Sequence, residues 1–100
     1  MAGYIVADIE ITDPDEYHMY GQKVRATVEQ YGGKYLTRGV SSSPETLDGN
    51  WKTKILAIIE FPSVEQAKTW YDSPEYSAIK SIRQRASISS LLLVHGIEGA

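Results

Sequence analysis

YIVADIEITDPDE, residues 4–16, changes its hydrophobic period halfway along, and that change decides the fold class. Over residues 4–11 the side chains alternate. Ile5, Ala7, Ile9 and Ile11 point one way, and Tyr4, Val6, Asp8 and Glu10 the other, as in a strand with one dry face and one mixed face. Asp13-Pro14-Asp15-Glu16 then opens a helix. Asp13 is the cap, Pro14 has the fixed φ that suits a first helical position, and Glu16 sits where a capping box wants an acid.

Downstream, Tyr17, Tyr20, Val24, Val28 and Tyr31 recur at helical spacing as an inward stripe, with His18, Gln22, Arg25 and Glu29 opposite. Gly32-Gly33 ends the helix, because glycine accepts the left-handed backbone of a C-terminal cap. A second strand is expected over about 34–41, then a polar loop from Ser41 to Asn50 with an Asp48-Gly49 turn. A third strand, about 52–61, runs into Phe61-Pro62, and Ser63 with Gln66 repeats the capping pattern. The helix so opened turns Val64, Ala67, Trp70 and Tyr71 inward, is interrupted at Ser73-Pro74, and continues with Ile79, Ile82 and Ala86 inside and Tyr76 and Arg83 on the flank. A last strand covers about 88–97.

The order strand, helix, strand, strand, helix, strand is the split βαβ, ferredoxin-like pattern of an α+β protein with a four-stranded antiparallel-type sheet. Crossover handedness is expected to set the first and third strands side by side and parallel in the middle, with both helices on one face. The other face carries too much Ile, Leu and Val to stay open, so two sheets packed face to face in a homodimer are expected.

Composition narrows the function classes. One hundred residues, 42% hydrophobic and 23% charged, make one small soluble domain over 1–100. Ten Lys and Arg against thirteen Asp and Glu leave a net charge of -3, which argues against nucleic acid or an anionic membrane as partner. No cysteine is present, so disulfides, thiolate nucleophiles and Cys-based zinc sites are excluded. The start, MAGYIVADIE, reads directly as a strand without the features of a secretory signal, and the longest apolar run is only Ile55 to Ile59. A cytoplasmic protein is the expectation.

Three stretches carry a resemblance: YGGKYLTRG at 31–39, EFPSVEQAKTWYDSPEY at 60–76 and SIRQRASISSLLLVHG at 81–96. Together with the opening GYIVADIEITDPDEYHMY at 3–20, they resemble the small bacterial family called domain of unknown function thirteen-thirty, in the dimeric α+β barrel (ferredoxin-like) superfamily. The resemblance spans nearly the whole chain. It implies a dimer of ferredoxin-like subunits whose sheets form a barrel, and no particular reaction.

Residue chemistry points to binding more than to catalysis. His18 lies on the polar stripe and His95 near the end of the last strand, without metal-ligand spacing, so neither metal nor other cofactor is expected. Gly32-Gly33 follows a helix and is no phosphate loop, and Ser41, Ser42 and Ser43 lack a nucleophile elbow. Asp8, Glu10 and Glu60 are expected to meet Lys34, Lys54 or Arg38 in salt bridges, with Arg38 reaching Asp8. The aromatic group is more informative. Tyr17, Tyr20, Trp70, Tyr71 and Tyr76 face the space between helices and sheet, where they either pack as core or line a ligand pocket. Arg83 borders them. It is expected to snorkel to water, to pair with Glu75 or Asp72, or to take an incoming carboxylate. The leading expectation is a dimer binding a small aromatic or acidic organic molecule there. A cofactor-independent monooxygenase or isomerase, and a structural or stress-related dimer without ligand, are the alternatives.

Overall fold

A computed structural model describes residues 1–37 and 43–97. The elements are β1 (Gly3–Ile11), α1 (Pro14–Gln30), β2 (Lys34–Tyr35), β3 (Ile55–Phe61), α2 (Val64–Tyr71), α3 (Pro74–Ala86) and β4 (Ser87–His95). The expected order holds. Strand limits differ: β2 is two residues long, β3 begins only at Ile55 and β4 stops at His95. Residues 38–41 of the expected second strand are among those not described, as is Arg38 itself.

The sheet order is β2-β3-β1-β4, so β1 and β3 are central neighbours as expected. They are antiparallel, not parallel. The crossover through α1 makes β2 parallel to β1, and the return from β2 into β3 reverses the chain once more. Every pairing in the sheet is therefore antiparallel. The register sets Ile5 between Ile59 and Leu93, and Ala7 between Ala57 and Leu91. By the pleat, Ile9, Ile55, Phe61, Ser87 and Ser89 share that face, which the helices cover. The opposite face shows Val6, Leu56 and Ile58 half-buried and Ile88, Leu92 and Val94 exposed.

Caps form where the sequence places them, but one capping acid and one capping amide are diverted. Asp13 accepts from the Glu16 backbone N–H, 3.2 Å, while the Glu16 carboxylate accepts from Arg85 of α3, 2.9 Å from Nε. Ser63 accepts from the Gln66 N–H at 3.0 Å, and the Gln66 side chain donates to the Tyr31 carbonyl, tying α2 to the end of α1. Gly32 has φ +81° and donates to Glu29, and Gly33 donates to Val28, the two bonds of a Schellman cap. A Cβ on Gly33 would stand 2.6 Å from the Phe61 ring, so nothing larger fits there. Ser73 joins α2 to α3: its hydroxyl donates to the Trp70 carbonyl, 2.7 Å, and accepts from the Tyr76 N–H, 3.1 Å.

The core lies between helices and sheet and is centred on Trp70, Tyr76, Phe61 and Val28, all essentially inaccessible. Thr27 belongs to it as well. Its hydroxyl satisfies the buried Trp70 indole N–H at 3.0 Å and donates to the Val24 carbonyl at 2.7 Å. One position in the inward face of α1 is vacant. Gly21 follows Tyr17 by four residues and precedes Val24 by three, and an added Cβ would meet nothing within 4 Å. Glycine inside a helix costs about 0.5–1 kcal/mol relative to alanine, and no neighbour here requires it.

Candidate functional site

The five aromatics expected inside do meet, as an interlocked cluster. Trp70 and Tyr76 lie 4.2 Å apart by ring centroids, Tyr71 and Tyr76 5.7 Å, and Tyr17 and Tyr20 5.3 Å. Tyr20 meets Tyr76 edge-on at 6.2 Å, and their hydroxyls share a 2.9 Å hydrogen bond. The cluster is a partition, not the lining of one pocket. On one side, between α1 and the sheet, is a cavity of about 520 Å³ bordered by Tyr17, Tyr20, Gly21, Tyr35, Ile55 and Trp70. On the other, beneath α2 and α3 against β4, is a cavity of about 450 Å³ bordered by Tyr71, Asp72, Arg83, Ser87, Ser89 and Leu93. Leu91 touches both, and Tyr76 borders neither.

Arg83 departs from two of its expected uses. It is 4% exposed, so it does not snorkel, and no carboxylate of the described residues lies within 4.0 Å of it. Glu75 turns toward α1, where it accepts from Tyr31 at 2.6 Å and Gln30 at 3.1 Å, and the Tyr31 bond holds its carboxyl below the ordinary value. Asp72 borders the Arg83 cavity without reaching the guanidinium. Arg83 is instead held by neutral oxygens. Nε donates to the Tyr76 hydroxyl at 3.1 Å and Nη1 to the Ser89 hydroxyl at 2.6 Å. Ser89 accepts in turn from Ser87, whose hydroxyl also reaches the Arg83 carbonyl. Nη2 has no partner among the described residues, and none of their enclosed polar side-chain atoms lacks one, so Nη2 is not fully enclosed, and Arg83 borders the cavity.

The other cavity is a phenol-lined chamber. Burial pushes the Tyr17 hydroxyl up to about 12, with Tyr76 adding to the shift and Arg83 opposing it. Burial likewise raises Tyr20, followed by its Tyr76 neighbour, and Tyr35, followed by Tyr17. Near neutral pH all three are uncharged donors. Tyr17 and Tyr35 hydroxyls have no hydrogen-bond partner among the described residues, and neither is fully enclosed.

Of the strand carboxylates, Glu10 is exposed and forms no ion pair among the described residues, while Glu60 and Asp8 have side-chain partners. Glu60 pairs with Lys34 at 3.4 Å, as expected, and accepts from Tyr4 at 3.2 Å. Among the described residues Asp8 is held by neutral groups, the Trp51 indole at 3.3 Å and the Thr53 hydroxyl, and Lys54 forms no ion pair; the expected Arg38 partner lies outside them. His18 and His95 are exposed, and no group of three His, Cys, Asp or Glu among the described residues could hold a metal. No helix among them is long and apolar enough to cross a membrane.

Sequence reasoning missed Ser87, Ser89 and Gly21. The two serines carried a signal: they share parity with Leu91 and Leu93, so polar groups occupy the helix-covered side of β4. Gly21 carried one too, as a gap in a stripe otherwise filled by Tyr, Val and Thr.

A four-stranded antiparallel sheet with order β2-β3-β1-β4, its helices on one face and two cavities beneath them, defines a ferredoxin-like α+β protein. Within that class the chain belongs to the DUF1330 family, a domain of unknown function, whose family profile matches residues 2–97. Among solved structures it is similar to RPA0582 of Rhodopseudomonas palustris, a protein of unknown function, at 20% identity and TM-score 0.76, covering 97% of this chain and 83% of that one. It is similar also to SnoaB of Streptomyces nogalater, a cofactor-independent oxygenase, at 10% identity and TM-score 0.64, covering 97% and 94%. A dimeric ferredoxin-like protein of unknown function from Bacteroides fragilis matches at 12% identity and TM-score 0.52, covering 95% and 96%. These likenesses establish the fold. No curated protein matches the chain.

Proposed function

We propose that this DUF1330 protein is a homodimer that binds a small organic acid beneath α2 and α3, with Arg83 receiving the carboxylate. The observation that carries the reading is a buried arginine, Arg83, 4% exposed, with no anion beside it among the described residues. Burying an unpaired charge costs several kcal/mol, a cost that an incoming anion offsets. Tyr76 and Ser89 hold Nε and Nη1, so the Nη2 end of the fork is unused among the described residues, and Arg83 borders the cavity. Ser87, Ser89 and Tyr71 add polar and aromatic contacts around it. A volume of about 450 Å³ is within the range of small-ligand sites.

The test is calorimetric titration with benzoate, phenylacetate and salicylate against the neutral isostere benzamide. At least one carboxylate should bind and raise the melting temperature, and benzamide should not. Arg83→Gln should weaken that carboxylate about 10- to 150-fold, the worth of a hydrogen bond to a charged group. Equal binding of acid and amide, or an unaffected Arg83→Gln variant, would overturn the assignment.

The dimer is supported by the apolar outer face of the sheet and by the neighbour described as dimeric. A second reading, a cofactor-independent monooxygenase or isomerase, is supported by the likeness to SnoaB and by the tyrosines that border the cavity between α1 and the sheet. Turnover of a bound compound without added metal or flavin separates it from simple binding.

A further inference from the structure

We propose that the cavity between α1 and the sheet is a second binding site, for a flat uncharged molecule carrying a hydrogen-bond acceptor, and that Gly21 keeps its mouth open. This site does not involve Arg83 and stands whether or not the acid-binding reading holds.

The first observation is the vacancy. Tyr17, Tyr20, Val24, Thr27 and Val28 all turn inward and are buried, whereas Gly21, on the same face, is exposed and borders the cavity. A packed core would place a Leu or Ile there, four residues from Tyr17 and three from Val24. Nothing crowds the position, since an added Cβ meets no atom within 4 Å. A close approach of backbone does not explain the glycine, and its backbone has no positive φ. What its missing side chain leaves is room at the entrance of a cavity of about 520 Å³.

The second observation is the chemistry of the walls. Ala7, Ile9, Ile55, Ala57 and Ile59 form an apolar floor from β1 and β3, and Trp70 closes the inner end. Tyr17 and Tyr35 border the same space, and their hydroxyls are donors without partners among the described residues and are not fully enclosed. Arg25, the one cation among the described residues that border it, is engaged with Glu29 at 3.3 Å. Among the described residues the walls are apolar with two neutral donors and no unpaired charge, a lining that suits an uncharged ring system with a carbonyl or similar acceptor.

The probe is prodan, a neutral dimethylaminonaphthyl ketone, read by its own emission and by quenching of Trp70 in a Trp51→Phe background. Saturable binding of one prodan per chain is expected. Gly21→Leu should fill the mouth and weaken prodan about tenfold or more, with melting temperature not lowered and near-ultraviolet dichroism preserved. If that variant misfolds, Gly21→Met, with a more adaptable side chain, replaces it. Tyr17→Phe should weaken prodan about fivefold, the worth of one neutral hydrogen bond, and leave naphthalene binding unchanged. Arg83→Gln should leave prodan binding intact even if it abolishes binding of benzoate. Absence of saturable prodan binding, or undiminished binding by folded Gly21→Leu or Gly21→Met, would overturn the proposal.

Discussion

Arg83 and Tyr76, seven residues apart on α3, are joined by a 3.1 Å hydrogen bond from guanidinium Nε to the phenol oxygen, with both side chains buried. The same oxygen is 2.9 Å from the Tyr20 hydroxyl of α1. Tyr76 thus links a residue of one cavity to a residue of the other while bordering neither. Packing and polarity are coupled at this point: the ring fills the partition, and its oxygen satisfies groups on both sides.

Tyr76→Phe keeps the ring and removes the junction. It leaves Arg83 Nε without its acceptor and Tyr20 without its partner, so a loss of about 1–3 kcal/mol is expected in urea denaturation. Tyr31→Phe, which removes a more accessible hydroxyl from Glu75, should cost clearly less. Equal losses would show that burial does not set the difference.

Two glycines should respond with opposite signs. Gly21→Ala meets no neighbour and should stabilise the fold by about 0.5–1 kcal/mol through helix propensity. Gly33→Ala drives a Cβ against Phe61 and Val28 and should lower the melting temperature. Thermal unfolding of the two variants side by side checks both.

Alkaline pH should unfold the protein through its phenols. Tyr17 has an ordinary value of 10.0 and is held near 12 in the folded chain, so the unfolded state loses its proton first. The stabilisation is fully present below pH 10 and is lost as pH rises through about 12. Tyr20 and Tyr35 are shifted in the same direction and add to it. Tyr17→Phe should flatten the fall of melting temperature across that window, and an unchanged slope would remove Tyr17 from the account.

The exposed sheet face should be an interface. Leu92 is 62% exposed in the single subunit, so Leu92→Asp should spare the fold yet break the dimer. Light scattering at micromolar concentration should report twice the 11.1 kDa chain mass for the unmodified protein and a lower mass for the variant. A single-subunit mass for the unmodified protein would remove the dimer.

Much was legible because the deciding signals are local. Period two over residues 4–11 and helical spacing from Tyr17 to Val28 each describe how neighbouring side chains divide between two faces. Asp13, Ser63 and Ser73 act as caps within three residues of their own position. Those features determined the order of elements, the helix-covered face and the inward aromatics. The strand direction was also implicit, since one crossover followed by one reversal leaves β3 antiparallel to β1.

What tertiary structure alone decided is how the inward side chains share space. Glu16 and Gln66 were free to close their own caps, yet Arg85 and the Tyr31 carbonyl, far along the chain, claim them. Arg83 was open to water, to Glu75 or Asp72, or to a ligand, and it is Tyr76 and Ser89 that hold it. The division into two cavities follows from the tilt at which Trp70, Tyr71 and Tyr76 interlock. Periodicity states which side of an element is dry. A cavity is the volume left between side chains from several elements, and its shape is set only when all of them have packed.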